Sequence, residues 1–236
     1  MDKYDEFLNP LCVPSKVELY TVRFSLLKAV KENISLFRGK LLDVGCGQMP
    51  YKSLILSNNP GVTEYIGLDI GEYFGSKPDL FWDGETIPLS DESVDCAMAT
   101  ELLEHCPNPA KVLSEIYRVL RPEGLLFFTV PFIWPLHLVP NDEYQYTPFS
   151  LRRLLAQAGF RDISIKALGG WDVSLAQMLS IWVRYRPMRY RYRVILAYAL
   201  TPVVKLLSVL DKKPSSFTDN TMANGWYGVA RKLSHS

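Results

Sequence analysis

Short apolar runs that stop at a glycine, a proline or an acidic residue recur along this chain, and helix-like stretches separate them. Residues 40–44 end just before Gly45, and residues 125–130 end at Pro131. Runs this short that are apolar throughout are typical of strands buried on both faces of a parallel sheet. The same kind of run is found at 65–69, 79–82 and 94–99. We therefore expect these runs to be the strands of one sheet.

The stretches between these runs have the spacing of helices. Residues 109–120 place apolar side chains on one helical face, at Val112, Leu113, Ile116 and Val119. Residues 16–36 and 150–158 show the same periodicity. Residues 161–167 alternate apolar and polar side chains, as a strand near a sheet edge does, and 226–230 is the last strand candidate. Alternating strands and helices predict an α/β fold with a mostly parallel sheet and helices on both faces.

The charge of the chain is almost balanced overall but is unevenly distributed. The 236 residues carry a formal net charge of +1, which predicts no general attraction to nucleic acid. Eight basic and two acidic residues lie between 171 and 213, so the rest of the chain is net acidic. We expect no nucleic-acid partner, and the basic segment needs an explanation of its own.

The cysteines and the N-terminus indicate a compartment rather than a site. The four cysteines are isolated, and none forms the Cys-x-x-Cys pair of a structural zinc site. We therefore predict no metal ligands. The first residues are polar and acidic and lack the apolar run of a signal peptide. Scattered cysteines without an export signal favour a reducing, cytoplasmic location.

The first predicted strand ends in a turn with Gly45 and Gly47, and Asp43 precedes them. Glycines lack a Cβ and let the backbone approach a ligand closely. Asp43 is an acceptor for a cationic amino group, and Asp69, at the end of the second strand, suits the hydroxyls of a ribose. By themselves the glycines are also compatible with an ordinary strand–helix turn. A dinucleotide-binding enzyme is the first competitor, but Pro50 stands where its third glycine belongs.

Five motifs in this order resemble those of the class I S-adenosylmethionine (SAM)-dependent methyltransferases. They are the glycine loop at 41–47, the strand end at 67–70, the stretch 83–95, the segment 102–105 and the turn 117–124. The resemblance implies SAM as the cofactor. It also implies a Rossmann-like fold with a mostly parallel seven-stranded sheet and helices on both faces. This chain departs from the plain fold by a helical insert before the last strand.

The resemblance also implies a contact with SAM for eight residues: Asp43, Gly45 and Gly47 at the methionine part, Asp69 at the ribose, Ile70, Asp83 and Gly84 at the adenine, and Thr100 near the methionine part. A turn-forming Asp-Gly pair is the alternative interpretation of Asp83. His105, in the segment after the fourth strand, is as compatible with a helix start or with packing as with a functional role.

Three further strings resemble a bacterial subgroup that is found among glycan and lipopolysaccharide biosynthesis proteins. They lie at 45–51, 130–137 and 142–147. This chain has Gln145 where that subgroup often has Arg. The narrower resemblance implies a sugar-related acceptor.

The loop after the fifth run, residues 131–147, is where we expect the acceptor. A hydroxyl acceptor is helped by a base that removes its proton. His137 suits this role by type, since its reference pKa is about 6.5, and Asp142 would orient it or act alone. Tyr144 is the third candidate catalytic residue. Capping and packing within a solvated loop is the alternative for each of them.

Residues 171–224 form an insert between the last two predicted strands. Its apolar run, 194–210, contains Pro202 and Lys205 and is shorter than the about 20 apolar residues of a spanning helix. We therefore expect no transmembrane segment. Arginines and tyrosines beside an apolar helix suit peripheral contact with anionic lipid through 181–210. A helical lid and a homodimer surface are the alternatives.

The sequence thus predicts four parts: an N-terminal helical segment at 1–38, a SAM-binding core at 39–170, the insert at 171–224, and the last strand with the tail at 225–236. We interpret the chain as a cytoplasmic SAM-dependent methyltransferase whose insert is a lid, a dimer surface or a peripheral contact with the inner face of the membrane. Its expected acceptor is small or lipid-linked, with a saccharide hydroxyl as the methylated group. The alternatives are a quinone or a lipid head group as acceptor, and a catalytically silent SAM-binding or assembly protein.

Overall fold

The predicted strands pair into one sheet in the computed structural model, which describes residues 5–71 and 76–234. The strands are β1 (Gly39–Val44), β2 (Val62–Asp69), β3 (Leu80–Phe81), β4 (Val94–Thr100), β5 (Leu120–Pro131), β6 (Arg161–Ala167) and β7 (Gly225–Arg231). Their spatial order is β3-β2-β1-β4-β5-β7-β6. Strand β1 pairs in parallel with β2 and β4, and the β2–β3 and β4–β5 pairs are also parallel. The mostly parallel, seven-stranded α/β fold predicted from the sequence is confirmed.

The helices within the described residues are α1 (Asp5–Leu8), α2 (Val17–Asn33), α3 (Lys52–Asn58), α4 (Pro109–Val119), α5 (Pro148–Gln157), α6 (Trp171–Tyr185) and α7 (Tyr190–Leu210). Local chemistry explains where two of them begin. The Asn108 side chain accepts a hydrogen bond from the N–H of Lys111, and Pro109 occupies the first turn of α4. The Thr147 side chain accepts a bond from the N–H of Ser150 at the start of α5.

Strands β1, β4 and β5 lie in the middle of the sheet and are mostly buried, although residues 121–123 of β5 are exposed. Leu41 and Leu42 of β1, and Phe127 and Phe128 of β5, are all fully buried although each pair is consecutive. Consecutive side chains of a strand point to opposite faces, so both faces of these strands are covered. Strand β6, at the end of the order, alternates between exposed and buried positions instead.

Two strands differ in extent from the apolar runs. Strand β5 begins at Leu120, ahead of the run that starts at 125. Leu120 pairs with Val94, and a register shift between Val94 and Cys96 absorbs the irregular residues between them. Strand β3 is shorter than the run at 79–82. Asp79 meets β2 through its side chain, since its carboxylate accepts a bond from the N–H of Gly67 at 2.8 Å.

The chain folds as two compact units. The helical unit comprises Met1–Val30, Phe132–Pro135 and Lys166–Trp226, and the sheet unit comprises Lys31–Pro131, Leu136–Ile165 and Tyr227–Ser236. Within the helical unit, Val17 of α2, Ala176 of α6 and Val204 of α7 form a buried apolar cluster. Helix α2 therefore packs with α6 and α7, the two helices of the insert, although α2 is far from them in sequence.

Helix α7 is longer than the apolar run at 194–210 suggested. It has 21 residues, because it begins at Tyr190, and only 11% of its most apolar window is buried. By length and composition it is long and apolar enough to cross a membrane. The expectation that this segment is too short to span is therefore wrong, since the helix includes residues ahead of the apolar run.

Helix α4 provides a test of how much its packing contributes to stability. Leu113→Ala removes a fully buried side chain and should lower the free energy of unfolding by about 2–5 kcal/mol, because the cavity left behind cannot fully collapse. Lys111→Ala, at an exposed position of the same helix, should change it by less than about 0.5 kcal/mol. Urea denaturation measures both, and equal midpoints for the two variants would contradict the packing described for α4.

Candidate active site

The carboxyl ends of β1, β2 and β4 meet at one edge of the sheet. Asp43, near the end of β1, lies opposite Gly67 of β2 on one side and opposite Met98 of β4 on the other. In open parallel sheets, ligands bind beyond these strand ends. The glycine loop follows β1 at this edge.

The glycine loop is held to the end of β2 by its own backbone. The N–H groups of Gly45 and Cys46 both donate to the Leu68 carbonyl, at 2.8 and 3.1 Å. Gly45 and Gly47 have φ angles of +71° and +50°, a left-handed conformation that favours glycine. A Cβ on Gly45 would lie 2.7 Å from Leu102, whereas one on Gly47 would meet no atom of the described residues within 4 Å. Gly47 therefore borders open space, while Gly45 is required by packing.

Two buried carboxylates flank the loop. Asp69 accepts bonds from the N–H groups of Gly47 and Ile70, both at 2.7 Å, and burial raises its pKa. Asp43 accepts a bond from the Tyr65 hydroxyl at 2.5 Å, and its other oxygen is buried without a hydrogen-bond partner among the described residues. Burial raises the pKa of Asp43 to about 7. Such a carboxyl gains from a cationic partner, because a nearby cation favours its ionised form.

Ile70 and Gly84 are neighbours at the end of β2. A Cβ on Gly84 would lie 3.8 Å from Cγ2 of Ile70, and Ile70 is 60% exposed, so it offers an apolar surface to a ligand. Asp83 accepts bonds from the N–H groups of Thr86 and Glu85, at 2.7 and 2.8 Å, and these bonds lower its pKa. Asp83 thus shapes the turn that presents Gly84, which is the turn-forming role left open by the sequence.

The segment after β4 adds two further carboxylates. Thr100 ends β4 opposite Thr129 of β5, and Oε1 of Glu101 accepts a bond from the Thr129 hydroxyl at 2.9 Å. Burial raises the pKa of Glu101. The Glu104 side chain is 1% exposed, and neither carboxylate oxygen has a hydrogen-bond partner among the described residues. Burial, reinforced by the charge of Glu101, raises the pKa of Glu104.

Two histidines face each other beside Glu104. The rings of His105 and His137 lie edge to face, with centroids 4.7 Å apart. Nδ1 of His105 is 2.9 Å from the Asn141 carbonyl oxygen, and Nε2 is 3.8 Å from Oε1 of Glu104. Burial lowers the pKa of His105. Nδ1 of His137 is 3.3 Å from Oδ2 of Asp142, which also accepts a bond from the His137 backbone N–H at 3.1 Å.

The third candidate catalytic residue has a different setting. The Tyr144 hydroxyl donates to the Pro107 carbonyl at 3.3 Å, and its ring stacks on Tyr146 with centroids 5.5 Å apart. The structure thus brings His137 and Asp142 together, and it places the Tyr144 hydroxyl on a backbone carbonyl.

Comparison with known proteins agrees with this geometry. Residues 42–128 match the family model described as methyltransferase domain. A ubiquinone biosynthesis O-methyltransferase of Photobacterium profundum is 34% identical over 107 residues, which cover 40% of this chain and 44% of that protein. The chain spans about half or less of the length of the curated relatives it matches.

Two solved structures share the fold. A SAM-dependent methyltransferase from Archaeoglobus fulgidus superposes with a TM-score of 0.57 and 19% identity. The superposition covers 98% of this chain and 100% of that one. Phosphoethanolamine N-methyltransferase 2 of Haemonchus contortus, in complex with SAM, superposes with a TM-score of 0.55 and 14% identity, covering 99% of this chain and 61% of that one. Residues 42–128 thus match a methyltransferase domain, and the sheet has the fold of solved SAM-dependent methyltransferases.

The residues of the methyltransferase domain suit SAM, and the cofactor predicted from the glycine loop is confirmed. The open space at Gly47 admits a ligand beside the backbone, and the unpartnered oxygen of Asp43 is an acceptor for an ammonium group. Asp69 would hold the ribose hydroxyls, because a carboxylate has about four lone-pair sites and its two N–H bonds leave capacity. Ile70 and Gly84 would cover the adenine.

Three side chains of the methyltransferase domain were not singled out from the sequence. Tyr65 lies within β2, where its periodicity indicates only core packing, yet its hydroxyl bonds Asp43. Glu101 and Glu104 follow β4, and their position just after a buried strand is the signal that could have marked them. For His105, which the sequence left undecided, the structure provides a partner in His137.

Gly47 is the sharper test of the cofactor site. Gly47→Asn places a side chain in the open space beside the loop, and asparagine tolerates a left-handed backbone better than most residues. We expect SAM binding to weaken at least about tenfold, measured by calorimetry, with an unchanged thermal unfolding midpoint. Gly45 is unsuitable, because a Cβ there would clash with Leu102. Wild-type affinity in folded Gly47→Asn would contradict the placement of SAM at this loop.

Proposed function

We propose that this chain transfers the methyl group of SAM to a hydroxyl of a small or lipid-linked acceptor, and that the His137–Asp142 pair receives that hydroxyl. The observation that carries the proposal is the contact between His137 and Asp142 in the segment after β5. His137 and Asp142 both belong to the same unit as the glycine loop. Loops that follow neighbouring parallel strands share one edge of the sheet, so cofactor and acceptor would meet there.

The main catalytic task of the protein is to align the acceptor hydroxyl with the methyl group of SAM. SAM supplies a methyl group on a sulfonium, a carbon that is already activated for displacement. Asp142, 3.3 Å from Nδ1 of His137, orients the imidazole and leaves Nε2 for the acceptor. The imidazole takes the hydroxyl proton as the acceptor oxygen becomes nucleophilic, and the adjacent carboxylate stabilises the imidazolium that results.

For the acceptor we propose a saccharide hydroxyl, because residues 130–137 and 142–147 resemble the glycan-associated subgroup. The second candidate is the phenolic hydroxyl of a quinone precursor. It is favoured by the similarity to the Photobacterium profundum protein named ubiquinone biosynthesis O-methyltransferase. Both acceptors are oxygen nucleophiles, so both would use the same proton acceptor.

Removal of the imidazole tests the role of the pair. His137→Ala should lower the rate of methyl transfer by about 10²–10⁴-fold while SAM affinity is unchanged. The measurement is transfer of an isotope-labelled methyl group from SAM into the saccharide and quinone fractions of a cell extract. Glu143→Gln, at an exposed position of the same loop, is the control and should behave as wild type.

The fraction that receives the label decides between the two acceptors. Label in the saccharide fraction supports the first candidate, and label in the quinone fraction supports the second. Binding of SAM by the wild-type protein without label in any fraction would favour a catalytically silent SAM-binding protein. A wild-type rate in His137→Ala would refute the proposed role of the pair.

We also propose that the helical unit lies against the cytoplasmic face of a membrane that contains anionic lipid. Helix α7 carries exposed apolar side chains at helical spacing, at Ile195, Tyr198, Pro202, Leu206 and Val209. This spacing places them on one face of the helix. An exposed apolar stripe of this kind is typical of an interaction surface.

The other side of α7 favours a helix that lies on the membrane over one that crosses it. Ala197 and Val204 are buried, and Val204 packs in the cluster of the helical unit. Polypeptide therefore covers the side of α7 opposite the stripe, and Lys205 is exposed next to the stripe. A helix with one covered face and one apolar exposed face suits the interface between head groups and acyl chains.

Three exposed arginines before and within α7 support contact with anionic head groups. Arg186, Arg189 and Arg191 are exposed, and none forms an ion pair with a carboxylate among the described residues. Arg184 differs, because it pairs with the buried Glu18 at 3.0 Å. Unneutralised arginines beside an apolar stripe attract an anionic surface, at about 1 kcal/mol for each basic residue near it.

Vesicle co-sedimentation tests this contact. The protein should sediment with phosphatidylglycerol vesicles at low salt but not with phosphatidylcholine vesicles, and raised salt should weaken binding, because charge is screened over about 8 Å at physiological salt. Arg186→Gln, Arg189→Gln and Arg191→Gln together should weaken binding more than about tenfold. The control is Lys28→Gln, Lys31→Gln and Arg153→Gln together, which changes the charge equally at exposed positions outside the insert.

Protein that stays in the supernatant with phosphatidylglycerol vesicles at low salt would refute the membrane contact. A dimer in analytical ultracentrifugation would then assign the apolar stripe of α7 to a second copy of the chain.

A further inference from the structure

We infer that a divalent transition-metal ion binds at the acceptor side of the methyltransferase domain, held by His105, His137, Asp142 and Glu104. One potential ligand atom from each of His105, His137 and Asp142 lies within 4.8 Å of the other two. Glu104 adjoins this group, with Oε1 at 3.8 Å from Nε2 of His105. Imidazole nitrogens together with carboxylate oxygens are a donor set that proteins use for such ions.

The surroundings of His105 leave one of its nitrogens available to an ion. A carbonyl oxygen can only accept, so the 2.9 Å contact between Nδ1 and the Asn141 oxygen places the proton of the neutral imidazole on Nδ1. The lone pair then resides on Nε2, the nitrogen that faces Glu104. Histidines that bind metals commonly donate their other N–H to a backbone carbonyl in this way, which fixes the orientation of the ring.

Glu104 provides the second observation. Its side chain is 1% exposed, and neither oxygen has a hydrogen-bond partner among the described residues. A buried carboxylate without a donor is costly, and such groups are paired or coordinate a metal. The backbone holds the residue in place, because the Glu104 carbonyl accepts bonds from the N–H groups of Glu143 and Tyr144 at 2.8 and 3.2 Å. An ion between Glu104 and the histidines would satisfy the carboxylate.

His137 also has a buried nitrogen, Nδ1, without a hydrogen-bond partner among the described residues. Oδ2 of Asp142 lies 3.3 Å from this nitrogen. Glu104 and His105 follow β4, and His137 and Asp142 follow β5, its neighbour in the sheet. A bound ion would therefore link the acceptor loop to the segment after β4, and we expect it to raise the unfolding temperature.

The donor set indicates the kind of ion. Mg²⁺ and Ca²⁺ prefer oxygen ligands throughout, whereas imidazole suits Zn²⁺ and related transition metals. The role of the ion, unlike the site itself, rests on the proposed function. With positions left open in its coordination, the ion would hold the acceptor oxygen and lower the pKa of its hydroxyl. In the ion-bound protein His137 would be a ligand, and its imidazole would take the hydroxyl proton itself only in the ion-free protein.

Titration calorimetry of the untagged, chelator-treated 236-residue chain with Zn²⁺ and with Mn²⁺ tests the site. We expect one ion per chain and a raised thermal midpoint. Glu104→Gln and Asp142→Asn keep the side-chain volume and should each weaken binding at least about tenfold. Asp162→Asn removes an exposed carboxylate on β6 and should bind the ion as wild type does. SAM affinity, measured in every variant, reports whether the domain is folded.

Absence of saturable binding of either ion by the wild-type protein would overturn the inference. Binding that both variants retain in full would overturn it as well. If a buried substitution also abolishes SAM binding, His137→Ala takes its place, since this side chain is 31% exposed and its loss is less disruptive. Unweakened Zn²⁺ binding by folded His137→Ala would again count against the site.

Different results would contradict the metal site and the proposed function. Stoichiometric Zn²⁺ binding that both substitutions weaken supports the site, even if no acceptor is methylated, and the missing activity would then count against the proposed function. Methyl transfer that continues at the full rate in protein shown to be free of metal would count against the catalytic role of the ion and leave the proposed function intact.

Discussion

Strand β1 pairs in parallel with β2 on one side and with β4 on the other, and this pairing determines where the polar groups of the site can lie. Both faces of the central strands are covered, so their interiors must be apolar, and polar side chains are confined to the strand ends. Parallel pairing then directs these ends to one edge of the sheet. Asp43, Asp69, Glu101 and Glu104 all lie at or just beyond the ends of β1, β2 and β4 for this reason.

These four carboxylates share an electrostatic setting. Burial is the main cause that raises the pKa of each of them. A carboxylate removed from water is favoured in its ionised form only when a cation or several donors approach it. The edge is therefore suited to positive charge: the ammonium group and sulfonium of SAM on the side of Asp43, and the ion that we infer on the side of Glu104.

The helical unit differs from the sheet unit in its exposed apolar surface, because α7 is apolar on more than one face. Ala197 and Val204 are buried within the unit, while Ile195 and Leu206 are exposed. A helix that is apolar all round is normally buried or in contact with lipid. Packing with α2 and α6 accounts for one face of α7, and the exposed stripe calls for an apolar partner, for which we propose the membrane surface.

Local sequence patterns were enough to predict the strands, the helices α2, α4 and α5, the glycine loop and the acid that ends β2, because periodicity and turn chemistry act between residues close together in the chain. Differences between residues of the same type come from the tertiary structure. Gly45 packs against Leu102 while Gly47 borders open space, and the pattern of the two glycines holds no sign of this. The tertiary structure likewise decided that Tyr65 bonds Asp43, that α7 begins at Tyr190, and that His105 meets His137. The contacts of Gly45, Tyr65 and His105 depend on strand register and on the loops that follow neighbouring strands. Both bring together residues that are far apart in sequence, so a local sequence pattern does not predict them.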